Sequence, residues 1–379
     1  MMKKHLVIPL LLVAAAALSC RETPVGPRPT IPMVYSIVAD STGAGRLAAQ
    51  SGRRGGEGSI AIIGEPKNTI VLARRLQGTD RVDNVDGRPV RDSLPDFAGE
   101  TFDVIMDAVG APYAQFFSSA RNLPDSLRQE SLDSLRERAV INAVSAWDSL
   151  SWRSATDTEP LLRKQRAKML IYTSTLQAQW GLFDVDTLQQ LCGGGCIILS
   201  PVHAMLDQAY ASGARSLVVW TTRDVRASGA WQSVFARKGW ADAHLTVIAP
   251  ERALDIRTEL RSVLREYQAT GRVMDALLVD DVTVNLAPLQ SELSLIGLKG
   301  TDEDAAFHAM MAPGFALWNP VDALIRATYE NLREHSLFTH RIARPALHYY
   351  ETAESAEGMP LLVETSAAYA QSTYVSDLY

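Results

Sequence analysis

The side chains best able to hold or transform a small molecule sit where short apolar runs end. Asp40 closes YSIVAD, Asp107 closes FDVIMD, Thr173 closes KMLIYT ahead of Ser174, and Thr221 closes SLVVWT ahead of Thr222 and Arg223. Asp280 closes DALLVD ahead of Asp281, and Trp318 is followed by Asn319. Carboxylates and amides accept and donate in fixed directions while an aromatic face covers apolar carbon, so this set suits polyhydroxylated or nucleoside-like ligands. Arg223 is the leading single binding candidate, because a guanidinium can clamp a carboxylate or hydroxyls; it can equally pair with Asp224 or Asp242. Asp40, Asp107 and the Asp280 and Asp281 pair also have the plainer role of helix caps. Trp180 and Trp220 can be ordinary core aromatics.

Catalytic signatures are missing from the 379 residues. No hydrolase elbow, phosphate loop, zinc-protease helix or dinucleotide fingerprint occurs. The nearest is Ser41-Thr-Gly-Ala-Gly45, which lacks a third glycine and also reads as a tight turn. The histidines are scattered, and no Ser, His and Asp set can be assembled. The residues therefore favour binding over catalysis, with no cofactor and no metal site expected.

The candidate residues need elements to place them, and the chain repeatedly offers an aliphatic run, a loop and an amphipathic helix, which is the α/β pattern. Strands are expected at residues 35–40, 59–64, 102–107, 168–173, 196–199, 216–221, 245–248 and 275–280. Most are continuous apolar runs, as in parallel strands covered on both faces. The clearest helices are 201–212, 225–238 and 250–270. Residues 69–97 read as a surface insertion with a strand at 69–72. Residues 123–150 read as one long helix or two, with Asp125, Arg128, Glu130, Asp133, Arg136, Glu137 and Arg138 on a solvated face.

At the amino terminus Lys3 and Lys4 precede an apolar run from Leu6 to Leu18, interrupted by Pro9, and Ser19 stands before Cys20. This is the layout of a signal peptide, too short to span a bilayer. Ala17-Leu18-Ser19-Cys20 resembles the lipobox of bacterial lipoproteins, which implies cleavage before Cys20, lipidation of its sulfur and a chain held on the cell envelope. Arg21 at the next position then implies the outer membrane. Residues 1–19 would be the signal and 20–32, rich in proline, a tether. The chain carries 37 Lys and Arg against 43 Asp and Glu, a net charge of −6, which disfavours nucleic acid as a partner. In an exported chain Cys192 and Cys196, separated by three glycines, are a disulfide candidate. Free thiols, or a metal held together with His203, are the alternatives.

From Gly194 to Tyr350 the order of features resembles the type I periplasmic binding protein fold of sugar receptors and basic-membrane-protein lipoproteins. The resemblance rests on YASGARSLVVW, WQSVFARKG, MDALLVDD and LIGLKGTD. It implies two Rossmann-like lobes with parallel sheets, residues 33–173 and 174–350, with 351–379 a tail returning to the hinge or the lobe surface. It further implies a substrate-binding lipoprotein closing over a small polar ligand, with Asp40, Asp107, Thr173, Arg223, Asp280, Asp281, Trp318 and Asn319 facing it and an inner-membrane permease as partner. An envelope scaffold without a ligand and an extracytoplasmic α/β hydrolase stand as the other two readings.

Overall fold

Ser59–Gly64 (β1) is buried at all six positions, because it lies inside a sheet with a strand on each side and helices on both faces. The structure, a computed structural model, describes residues 28–52, 56–84, 87–120, 123–253, 255–339, 341 and 343–375. The expected signal 1–19 and Cys20 lie outside the described residues, and residues 31–379 form one unit. In that unit β1 pairs in parallel with Thr101–Met106 (β2) and Ala167–Tyr172 (β3). Ile197–Leu199 (β4) extends the sheet beyond β3, Ala346–Glu354 (β9) lies parallel to β2, and Pro360–Thr365 (β10) closes the edge antiparallel to β9. A second, wholly parallel sheet has Ser216–Trp220 (β5) between His244–Ile248 (β6) and Met274–Val279 (β7), with Met311–Trp318 (β8) beyond β7.

The chain leaves the first sheet through Pro201–Ala211 (α7) and returns through Pro320–Glu334 (α13). These two helices join the sheets. One apolar core runs from Ile62, Val104 and Ile171 of the first sheet through Met205 and Leu206 of α7 and Leu324 of α13 to Val219 and Leu278 of the second. Gln208 Nε2 ties α7 to the Ala323 carbonyl at 2.7 Å. The outer face of the first sheet is covered by Pro32–Ala39 (α1), Ala44–Gln50 (α2), Asp125–Trp147 (α5) and Thr175–Cys192 (α6). The outer face of the second is covered by Ile256–Gln268 (α10), Leu286–Gly297 (α11) and Asp302–Ala309 (α12). The architecture is thus α/β with predominantly parallel sheets, in two lobes.

Several expected elements differ, each for a local reason. Residues 35–40 form part of α1 and not a strand: Pro32 sits in its first turn, and Ile31, Val34 and Val38 recur at helical spacing against the sheet. Residues 69–72 lie in Pro66–Gln77 (α3), where Thr69, Ile70, Leu72, Ala73 and Leu76 are buried along one stripe. Gly229, at φ 68°, divides the helix expected at 225–238 into Arg223–Ser228 (α8) and Ala230–Lys238 (α9). α10 starts after its Asp255 cap and not at Pro250. The stretch LIGLKGTD, quoted for the resemblance, spans the end of α11, a turn and the start of α12. Within residues 351–375, the end of β9, β10 and Ala367–Tyr374 (α14) belong to the first sheet and its cover.

Arg136 departs from the solvated face expected of α5, being 3% exposed. It bonds Asp184 of α6 through Nε at 2.7 Å and a terminal nitrogen at 2.9 Å. One turn earlier on α6, the absence of a side chain at Gly181 lets the two helices meet: a Cβ there would lie 2.2 Å from Ala139 Cβ.

His203, in the first turn of α7, bonds Ser200 Oγ at 2.7 Å through Nδ1. Burial, helped by the Lys238 charge, lowers its pKa to about 4. The unfolded chain then binds the extra proton between about pH 6.5 and 4, so stability is lost as pH falls through that window. We expect wild type to lose about 1–2 kcal/mol more than His203→Gln between pH 7 and 5, after allowing for residual solvent access. Urea unfolding midpoints at the two pH values measure it, and equal slopes would show that His203 is not the group responsible.

Candidate functional site

Parallel strands deliver their following loops to one edge, and in both sheets that edge collects carboxylates. β1 ends in Gly64 and is followed by Glu65; β2 is followed by Asp107; β7 is followed by Asp280 and Asp281. Gly64, at φ 151°, is required here because a Cβ would lie 2.1 Å from Thr173 Oγ1. Glu65 starts α3, and its Oε1 accepts the Tyr113 backbone N–H at 2.8 Å. Burial raises its pKa, and the charges of Asp107 and Asp281 raise it further against that hydrogen bond.

Asp107 is fully enclosed and saturated. It accepts from Tyr113 Oη at 2.9 Å, Asn142 Nδ2 at 2.8 Å, Thr352 Oγ1 at 3.0 Å and the Gly110 N–H at 3.1 Å, and it pairs with Arg138. It therefore ties β2, α5 and β9 together with no accepting capacity left over. Burial and the neighbouring Asp107 carboxylate raise the Tyr113 phenol well above its ordinary range.

Asp280 joins the two lobes. Thr175, in the first turn of α6, donates to Oδ1 at 2.7 Å, while Thr221 Oγ1 and Trp231 Nε1 donate to Oδ2 at 2.8 and 2.7 Å. Burial raises the Asp280 pKa, and the three donors oppose the shift. Asp281 holds Thr283 through one oxygen, accepting its N–H at 2.8 Å and its hydroxyl at 2.7 Å. Beside this pair a cavity of about 440 Å³ is lined by Thr221, Thr222, Arg223, Glu251, Asp280 and Asp281 among others.

The residues expected to face one ligand are therefore divided. Asp280, Asp281 and Arg223 share that cavity, but Arg223 is a rim residue, 64% exposed and paired with Glu251 at 2.7 Å. Thr173 is turned into the sheet and donates to the Ile63 carbonyl at 3.3 Å. Asp40 is a turn cap between α1 and α2, accepting from Thr42, Gly43 and Ala44, because the expected strand before it is a helix. Asn319 caps α13, accepting the Asp322 N–H at 2.8 Å, and Trp318 packs against the shared core. Cys192 and Cys196 are free thiols at the far end of α6 in this structure; burial pushes Cys196 up to about 12. Among the described residues no group of three or more His, Cys, Asp or Glu is placed to hold a metal ion.

Glu65, Thr175 and Trp231 escaped the sequence reading. Glu65 had a usable signal, since it directly follows the most apolar strand. Thr175 and Trp231 had none, because only the fold brings them to Asp280.

No family model and no curated protein matches the chain. Solved structures do match. The glutamate racemase isoform RacE1 from Bacillus anthracis is 11% identical, with 79% of this chain and 90% of that one covered at a TM-score of 0.44. Glutamate racemase from Francisella tularensis subsp. tularensis SCHU S4, in complex with D-glutamate, is 10% identical with the same coverage and TM-score. Picrophilus torridus aspartate racemase is 11% identical, with 74% and 99% covered at a TM-score of 0.40. These are racemases and not periplasmic binding proteins, so the type I receptor resemblance is corrected. The two sheets are joined by one apolar core that runs through α7 and α13. The substrate-binding lipoprotein reading, its scaffold and hydrolase alternatives, the lipid anchor and the permease partner find no support in these matches.

Proposed function

We propose that the edge where both sheets end is the active site of an acid–base enzyme, one that removes a proton from a carbon of a small polar substrate and returns it. A single arrangement supports the reading. The charge of Asp281 on the second lobe bears on Glu65 of the first, and no Lys or Arg is paired with either among the described residues. Burial holds Glu65 in its acid form to higher pH than an ordinary glutamate, which suits a proton donor. The second oxygen of Asp281 has no hydrogen-bond partner among the described residues and can accept a proton. Carried by opposite lobes, the two groups can serve a substrate from two sides, while Asp280 keeps their separation through Thr175 and Thr221. An edge so rich in carboxylate favours substrates with ammonium, amide or hydroxyl donors.

The test is solvent exchange. The protein is incubated in deuterium oxide with amino acids, hydroxy acids and small sugars in turn, and carbon-bound deuterium is read by proton NMR. Incorporation into one class, lost in both Glu65→Gln and Asp281→Asn, is expected. Exchange into no class, or exchange indifferent to both substitutions, would remove the proposal.

A further inference from the structure

A cavity of about 980 Å³ lies apart from the carboxylate edge. One wall comes from the end of α3 and the loop after it, with Arg74, Arg75, Arg81 and Arg91; the other comes from residues 282–287 after β7 and from the start of α13. Four arginines therefore line one cavity of a chain whose net charge is −6. Only two carboxylates, Asp80 and Asp322, share the lining. Asp322 pairs with Arg81 and also accepts from Asn319 Nδ2 at 2.6 Å, and Asp80 accepts the Asp92 N–H at 3.2 Å. Arg74, Arg75 and Arg91 are exposed and make no ion pair among the described residues. Arg74 and Arg75 do favour the carbonyl end of α3, but that role explains neither Arg91, which comes from a different segment, nor the convergence of all three on one cavity.

We propose that this cavity is a binding site for a multivalent small oxyanion of the phosphate-ester or pyrophosphate kind. Guanidinium groups present planar paired donors that match the oxygens of such anions, and the volume falls in the range of sites for nucleotide-sized ligands. Neutral hydrogen-bonding groups complete the lining: Thr283, Asn285 and Gln290 from the second lobe and Asn319 at the head of α13. The ligand would bridge the lobes. Both walls also lead to the carboxylate edge, since α3 begins directly after Glu65 and residues 282–287 directly follow Asp281. The site is nevertheless separate from that edge, and its existence does not depend on the catalytic reading.

Titration calorimetry with pyrophosphate on the full chain tests it, with citrate and inorganic phosphate as the other probes. Pyrophosphate is expected to bind with affinity that falls steeply with salt, and Arg74→Ala/Arg75→Ala/Arg91→Ala should weaken it at least 100-fold. Arg257→Ala, on α10 outside the cavity, should leave binding unchanged. Citrate binding as tightly as pyrophosphate would overturn the phosphate class. Absence of pyrophosphate binding at millimolar concentration, or binding equal in wild type and the folded triple variant, would overturn the site; circular dichroism establishes that the variant is folded.

Discussion

Asp184→Ala is expected to cost about 3–5 kcal/mol of folding stability, because it strands the buried Arg136 guanidinium. Both members are removed from water, at 3% exposure for Arg136 and 0% for Asp184. Asp184 also accepts the Ile31 N–H at 3.1 Å, which fastens the start of α1 to α6, so the substitution leaves a second donor unsatisfied. Asp133, at 2.9 Å from Arg136, is a third of the way exposed and compensates only in part. The double variant Arg136→Met/Asp184→Leu should recover most of the loss, since replacing a buried pair by apolar groups of similar volume is often neutral. Urea unfolding of wild type, single and double variants measures all three. A loss under about 1 kcal/mol for Asp184→Ala would mean the pair behaves as a surface ion pair.

Glu65→Gln is expected to lower turnover of the substrate found by deuterium exchange by about 10²- to 10⁴-fold, the usual contribution of a positioned acid or base. The pH profile carries the sharper information. Glu65 must be protonated to donate, so wild-type kcat/KM should fall as pH rises through its raised pKa. In Asp281→Asn one of the charges that raises Glu65 is gone, so any residual activity should fall at lower pH. The substitution, by contrast, moves stability the other way from activity. A carboxyl whose folded pKa is raised binds its proton more tightly in the native state, so its ionisation above that pKa costs stability. Glu65→Gln should therefore be at least as stable as wild type at pH 7, which separates loss of chemistry from loss of fold. A falling limb that persists unchanged in both variants would assign it to another group.

Reading the chain alone locates seven of the ten strands to within one or two residues, because continuous apolar runs such as IAIIG and SLVVW have no other use in a chain of this composition. β8, β9 and β10 were less legible. Residues 346–354 and 360–365 mix polar with apolar side chains; β10 is an edge strand paired with β9 alone, and β9 pairs with β2 across more than 240 positions. Residues 35–40 misled for the opposite reason. A β-branched run has strand propensity, but the spacing of Ile31, Val34 and Val38 against an existing sheet decides for helix.

By itself the sequence determined the α/β class, the strand ends as the place to look, and Asp280 and Asp281 as residues worth naming. Only the tertiary structure decided what each acid does. Asp40 and Asp107 have the same side chain and the same apparent position after an apolar run, yet one caps an exposed turn and the other is spent on five donors in the interior. The same holds between the sheets. The strand order alone does not say how the sheets are joined, but the apolar faces of α7 and α13 carry one core from the first sheet to the second. Whether two lobes close on a ligand or on each other is settled by side-chain packing between segments more than 100 residues apart, such as Gln208 and Ala323, and no local pattern encodes that.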